Sequence, residues 1–567
     1  MSARPVSGLV RRAAQVPGLG RAVAGARRVR AGLRTRFPHR RYRELAGLVA
    51  AARDRDDATI AVLGPADPRL VAAVRAGSPR ASVTEVVTGG SERHVAMAAA
   101  GPYDVILDRV VPEGRRDRFE ATFFHLRPEG TYVVPDGAPE LGDHPGPLGQ
   151  LLDPSGPVPR GPRKDKLRLA DFRLSLDKHV TRRVVAADLL LSHDLPDVYV
   201  KLREGELDTY LGLAPTPHRL LRTIPAEPPP PAPAGREGPD PRDPPMHRPI
   251  NEATISLRDY RDVVVFPRQM MVWDRLLLPE TFRHNQWPVL EHTQLVDHGP
   301  LFARRRTPLQ EEPPVLAGTY LHLDNEFRGH FGHLLTESLS RVWSWPLALE
   351  LDPEARVLVG TTKKRPRPLE YELELYEACG IPRDRVVVAD GPVRVERLIS
   401  GTPMFSHPEY VHPAIAQTWR EVGDRLADGA EDQDWPRRFF VSRRTDKRSC
   451  TNGAEVEAIF AEYGFQPVYP EDYSLGEQVR LFRAAEVIAG YAGSGLFQMA
   501  FVTEPTHVIM VGAASYTMRN EYLMAAVHGH RLDGVFSRVP GKKVQVSYTF
   551  DHEREGPFLR AILDELP

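Results

Sequence analysis

Apolar and polar positions alternate along this chain in two separate regions. Each shows short apolar runs of strand length followed by stretches of helical period. In the first region, residues 58 to 140, Thr59-Ile-Ala-Val-Leu-Gly64 predicts a buried strand, Leu70 to Ala76 a helix and Ser82 to Val87 a second strand. Tyr103 to Asp108 predicts a third strand and Phe119 to Leu126 a helix, and the turn Arg127-Pro-Glu-Gly130 leads into a strand over Thr131 to Val134. Strands separated by helices imply a parallel sheet with crossovers. The second region begins near residue 251 and is clearest at its end. There strands are expected over Arg438 to Ser442, Gln466 to Tyr469, Glu486 to Gly490 and His507 to Val511. Helices are expected over Gly453 to Tyr463, Ser474 to Ala484, Gly495 to Phe501 and Met518 to His528. This is the pattern of a doubly wound lobe, in which ligands sit beyond the carboxyl ends of the strands.

Between the two regions, Pro225-Ala-Glu-Pro-Pro-Pro-Pro-Ala-Pro-Ala234 continues through Pro239, Pro241, Pro244 and Pro245 to Pro249. Such a run forms neither a helix nor a central strand and reads as a semi-rigid linker. The expected organisation is a basic leader (1–50), a first Rossmann-like domain (51–222), the linker (223–250), and two lobes (251–434 and 435–567). A chain of 567 residues is too long for one core, which agrees with that division. Formal net charge is zero, so the global balance does not call for nucleic acid. Only Cys379 and Cys450 are present, which excludes a disulfide framework and suits a reducing cytoplasm. No run reaches the roughly 20 apolar residues of a membrane-spanning helix. The leader carries eleven arginines from Arg11 to Arg43, almost without acids, and is broken by Pro17 and Pro38. It reads either as a solvated segment or as a basic one resting on anionic lipid at the inner face of a membrane.

Three constellations could carry chemistry. Ser442-Arg-Arg-Thr-Asp-Lys-Arg448 leaves a strand at the expected crevice, and Arg443, Arg444 and Arg448 could neutralise a diphosphate. Gly490-Tyr-Ala-Gly-Ser-Gly-Leu496 joins a strand to a helix, so Gly493, Ser494 and Gly495 could present amides to a phosphate. In Gly329-His-Phe-Gly-His-Leu-Leu-Thr-Glu337, His333 and Glu337 stand four apart on one helix face, with His330 bordering it. The order of these residues is not that of a zinc helix, and no third ligand is evident, so no metal is expected. Asp432-Gln-Asp434 lies in an acidic connector and is set aside. Ser474-Leu-Gly-Glu477 and Asn452-Gly-Ala-Glu455 read as capping boxes, which makes Asn452 and Glu477 secondary candidates; Gln478 has no such explanation.

The strand Tyr103–Asp108 and the Leu126–Val134 turn and strand make the first region resemble a class I S-adenosylmethionine-dependent methyltransferase. It departs where Gly64-Pro-Ala-Asp-Pro68 replaces the glycine-rich turn and where Thr88-Gly-Gly90 stands in place of a ribose-binding acid, so it is read as a degenerate copy. Over roughly residues 315 to 535 the chain resembles glycosyltransferase family 61. The resemblance runs through His333, Glu337 and Arg341, the Val441-Ser-Arg-Arg444 exit with Asn452, Tyr463 to Gln478, and Ile488 to Met499. Ala492 stands where members carry a histidine, and Gln498 where they carry an asparagine. The resemblance implies an α/β fold of two Rossmann-like lobes (GT-B type) preceded by the smaller Rossmann-like α/β domain. It also implies an inverting, metal-independent, cytoplasmic glycosyltransferase, hexosyl- or pentosyl-transferring, in bacterial cell-envelope or capsular polysaccharide synthesis. The expected partners are a nucleotide-sugar co-substrate and a glycan or lipid-linked glycan acceptor, with no cofactor. His333 and Glu337 would be catalytic, and Ser442, Arg443, Arg444, Arg448, Gln478, Gly493, Ser494 and Gly495 would bind the donor. Two alternatives stand beside this reading: a non-catalytic sugar- or nucleotide-binding scaffold, and a bifunctional glycosyltransferase/methyltransferase.

Overall fold

A computed structural model describes residues 39–567 except 53–54, 88, 110, 112, 159, 161, 241–245, 363, 432, 445–447 and 542–543. The leader up to Pro38, Thr88, Asp432, Pro241, Pro244, Pro245 and the Thr445-Asp446-Lys447 part of the arginine loop therefore lie outside the described residues. The chain forms two compact units that divide between Pro196 and Asp197. No helix among the described residues is long and apolar enough to cross a membrane.

In the first unit, Thr59–Leu63, Ser82–Val86, Tyr103–Asp108 and Leu126–Val134 are parallel strands. An antiparallel pair, Val180–Val185 and Asp188–His193, extends the sheet beyond Leu126–Val134. The helix His39–Ala52 covers one face by burying Leu45 and Val49 against Ile60, Val62 and Val105.

The second unit contains two large sheets. One is mixed and eleven-stranded, and its parallel part runs Val393–Gly401, Val315–His322, Arg356–Gly360, Val386–Ala389. The other has six parallel strands in the order Gln466–Val468, Arg438–Val441, Val487–Tyr491, His507–Ala513, Arg531–Ser537, Glu237–Gly238. Its central strands Val487–Tyr491 and His507–Ala513 are nearly fully buried, as continuous apolar runs in a parallel sheet require.

Two expectations need correction here. Residues 197–222 belong to the second unit: Tyr199–Lys201 and Arg219–Ile224 are strands of the eleven-stranded sheet, and Arg219–Ile224 pairs antiparallel with Ile255–Phe266. The proline-rich segment 223–250 is not a linker between domains but part of the second unit. Leu532 donates to the carbonyl of Ala234 (2.8 Å), Gly534 donates to that of Arg236 (2.7 Å), and the Arg236 amide donates to Asp533 (2.6 Å). An edge strand bonds on one side only, so flanking prolines are tolerated. Further on, Arg519 donates to the carbonyls of Met246 (2.8 Å), Arg248 and Pro408 (2.6 Å), tying this strap to the segment that follows the eleven-stranded sheet.

Candidate functional site

Strand order within the second unit reverses in two places. Arg438–Val441 and Val487–Tyr491 are neighbours, but their successors Gln466–Val468 and His507–Ala513 lie on opposite sides. In the other sheet the chain steps from Val315–His322 outward to Arg356–Gly360 and Val386–Ala389, then returns on the far side as Val393–Gly401. Each reversal leaves a crevice beyond the carboxyl ends of its strands. The first crevice emits segments 442–452 and 492–494, the second 323–333 and 402–407. Residues from all four segments line one cleft of about 250 Å³. The two sides meet closely: a Cβ on Gly332 would lie 3.2 Å from Ser494 Cβ and 3.0 Å from the Phe497 ring.

On the 323–333 side, the expected regular helix is instead a short α-turn (Phe331–His333), a π-helical turn (Leu334–Ser338) and a 3₁₀ stretch (Leu339–Ser344). His333 Nδ1 stands 2.7 Å from Glu337 Oε1, so the predicted pair is formed. Phe327 stacks on the His333 ring at 4.8 Å, and His330 meets it edge-on at 4.9 Å. The sequence gives no hint of the third partner. Arg283 Nε donates to the same Glu337 oxygen at 2.5 Å, and its Nη2 donates to His407 Nε2 at 2.6 Å. Burial alone would raise the Glu337 carboxyl, but Arg283 and His333 override it and hold the group well below the usual carboxylate range. Burial pushes His407 well below the ordinary histidine range and brings His284 down to about 4, with Arg283 adding to both effects. Arg341 is not among the residues lining the cleft; it is buried and donates to the carbonyl of Asp324 (2.9 Å), which anchors the loop that carries His330.

On the other side the predicted diphosphate cradle is only partly assembled. Arg448, Gly493 and Ser494 line the cleft. Arg448 has a positive φ of 57° and its guanidinium lies 5.5 Å from the Tyr516 ring centre. No ion pair joins it to a carboxylate among the described residues, and its buried Nε has no partner there. Ser494 opens the 3₁₀ helix Ser494–Phe501, whose first amides have no intrahelical acceptor. The Gly493 amide, expected to face phosphate, donates to buried Glu521 at 2.7 Å; Tyr516 also donates to this carboxylate, at 3.0 Å.

The other donor-site candidates are occupied elsewhere. Ser442 donates to Glu457 (2.6 Å), and Arg444 is exposed and pairs with both oxygens of Asp472 (2.5 and 2.6 Å). Arg443 donates to the carbonyls of Ala492 (3.0 Å) and Arg448 (3.4 Å), so it fastens one loop to the other. Gly495 packs against Val441, where a Cβ would come within 3.0 Å of Cγ1. Gln478 donates to the carbonyls of Pro470 and Tyr473 and accepts from Gln498 at 2.8 Å. Glu477 forms the predicted capping box with Ser474. Asn452 does not cap with its side chain, which instead clasps the backbone of Phe550 (2.9 and 3.0 Å). Sequence reasoning missed Arg283, His407, Tyr516 and Asn520, all of which line the cleft.

In the first unit, the turn beyond Thr59–Leu63 is held by its own side chains. Asp67 accepts from Tyr42 (2.9 Å), from the amides of Arg69 and Leu70 (3.2 Å each), and from Arg109 at 2.8 Å. Its own amide donates to Glu85 at 2.7 Å, so the acid of the second strand is spent on the turn.

Residues 331–509 match the family model Glycosyltransferase 61. No curated protein matches the chain. Among solved structures, the MycE methyltransferase of mycinamycin biosynthesis, in complex with Mg, SAH and mycinamycin VI, shares 17% identity at a TM-score of 0.18. The match covers 25% of this chain and 43% of that one, less than half its length. The release-factor-specific protein-(glutamine-N5) methyltransferase of Alicyclobacillus acidocaldarius shares 14% identity at a TM-score of 0.17, over 27% of this chain and 90% of that one. A TehB-like SAM-dependent methyltransferase of Corynebacterium glutamicum shares 14% at 0.15, over 31% and 97%.

Proposed function

We propose that the second unit is a glycosyltransferase that moves a sugar from a nucleotide-sugar donor to a glycan hydroxyl, by direct displacement with inversion and without a metal. One observation carries this reading: the cleft sets Arg448 and the start of the Ser494–Phe501 helix opposite the His333–Glu337 pair. With Nδ1 bound to Glu337, His333 keeps Nε2 as the atom that accepts a proton. In the step, the acceptor oxygen bonds to the anomeric carbon and its proton passes to Nε2. The bond from that carbon to the diphosphate breaks, and the nucleoside diphosphate leaves with the electron pair. Arg448 and the Ser494 amide would face that developing charge. Glu337 acts through His333, because its Oε1 already accepts from both Arg283 and His333.

Calorimetry with nucleoside diphosphates, together with transfer assays over common nucleotide sugars, tests the proposal. Arg448→Ala should weaken diphosphate binding at least tenfold, while His333→Ala should keep binding and lose transfer. Unchanged binding in Arg448→Ala, or near-normal transfer by His333→Ala, would overturn it.

A further inference from the structure

The helix Asn520–His528 starts at the wall of the cleft, and its first residues are held by contacts that leave one side chain over. Arg519, just before it, is buried and bonded to the carbonyls of Met246, Arg248 and Pro408. Glu521, just after, is fully buried and accepts from the Gly493 amide and from Tyr516. The backbone of Asn520 is thus pinned on both sides. Asn520 lines the same cleft as Arg448, Ser494 and Tyr516, yet the residue is only 8% exposed. Its Oδ1 is buried and accepts no hydrogen bond from the described residues. An unmatched buried polar atom costs about 1–3 kcal/mol, so a native site that keeps one calls for a partner.

The chemistry of that partner follows from the carboxamide. Oδ1 accepts only and Nδ2 donates only. A phosphate oxygen can answer Nδ2 but offers nothing to Oδ1. A sugar hydroxyl both donates and accepts, so it can satisfy either atom, whichever way the amide is turned. In the donor reading Arg448 and the Ser494 amide supply the anion-facing groups, and the first turn of the 520–528 helix adds the partial positive charge of unpaired amides.

We propose that Asn520 reads a hydroxyl of the sugar being transferred and is a specificity-determining residue for the donor, distinct from the groups that hold its diphosphate. This rests on the donor reading given above. It lies beyond the segment that matches the family, which ends at residue 509.

The test compares nucleoside diphosphates with their sugar conjugates on the full chain: UDP against UDP-glucose, UDP-N-acetylglucosamine and UDP-xylose, and GDP against GDP-mannose. Asn520→Ala should bind the bare diphosphate as the parent does and lose roughly tenfold in affinity for the cognate conjugate, the size of one hydrogen bond. Deoxy analogues of that conjugate, each lacking one sugar hydroxyl, supply the second arm: one of them should bind parent and variant equally. Unchanged diphosphate affinity also shows that the variant is folded. Should Asn520→Ala lose both affinities, Asn520→Ser provides a check, because a hydroxyl suits the start of a helix, keeps an acceptor oxygen and adds no charge to repel the diphosphate. If both variants lose diphosphate and conjugate alike, or if neither loses anything, the assignment is overturned. If the parent binds none of these compounds, the donor reading itself falls and this assignment falls with it. Binding by the parent with no effect of Asn520 removes only the assignment.

Discussion

Glu337 shows how much one buried carboxylate organises. Its Oε1 receives Arg283 and His333 together, and the Arg283 side chain is only 15% exposed. Removing one member of a buried ion pair strands the other, which costs about 3 kcal/mol or more, whereas removing both is much less harmful. Glu337→Gln should therefore lower unfolding stability by about 3 kcal/mol, and the double variant Arg283→Met/Glu337→Gln should recover part of the loss. Urea unfolding of the four proteins in the cycle measures both effects, and additive losses would contradict the pairing. The folded-state carboxyl is depressed, so its stabilisation is complete above the ordinary carboxylate value and fades only as pH falls through the depressed one. The deficit of Glu337→Gln should accordingly stay constant between pH 5 and 8. His333 and Glu337 were legible because a spacing of four puts two side chains on one face, a relation that survives the local π-turn. Arg283 was not, because it stands 54 positions from Glu337 and only the folded sheets bring it there. Position 444 marks the opposite limit, since composition cannot tell an arginine that faces a ligand from one that faces Asp472.

At the scale of elements, long apolar runs were the readable part. Four of the six strands of the C-terminal sheet lie within one or two residues of their expected bounds, because a buried parallel strand needs an unbroken run; Arg531–Ser537, whose run is broken by Asp533 and Gly534, was not expected. The strap at 234–238 left no such trace. It joins the sheet through two paired residues and a few backbone bonds in a segment dominated by proline. Its tightest point is Gly235, with φ at 148° and so close to Leu532 that an added Cβ would fall 1.9 Å from the carbonyl oxygen. Gly235→Ala should detach this edge and destabilise the second unit by several kcal/mol, on the order of other severe backbone conflicts. Limited proteolysis should then cut between 225 and 250 at protease levels the parent resists, and a variant as resistant as the parent would show that the strap contributes little.

For the second unit as a whole, acid stability is set by histidines buried without charge. Burial brings His218, His284, His528 and His530 to about 4 and His322 to about 3, and drives His407 well below the ordinary value. A histidine of depressed folded-state value binds its proton more readily when unfolded, so stability rises with pH through this window and falls as pH drops below about 6.5. Each such group contributes on the order of 1 kcal/mol of loss one pH unit below that point, before any coupling among them. Depressed carboxylates such as Glu337 act only at lower pH, whereas burial raises Glu204 and Glu521, whose proton uptake in the folded state opposes the histidines without matching their number. All six tryptophans, Trp273, Trp287, Trp343, Trp345, Trp419 and Trp435, lie in the second unit, so tryptophan fluorescence follows its unfolding without a contribution from the first. The urea midpoint read this way should fall steadily between pH 7.5 and 5.5. A midpoint constant over that interval would mean that these histidines take up protons while the unit stays folded. The burial assigned to His407 and His284 beside the His333 pair would then have to be abandoned.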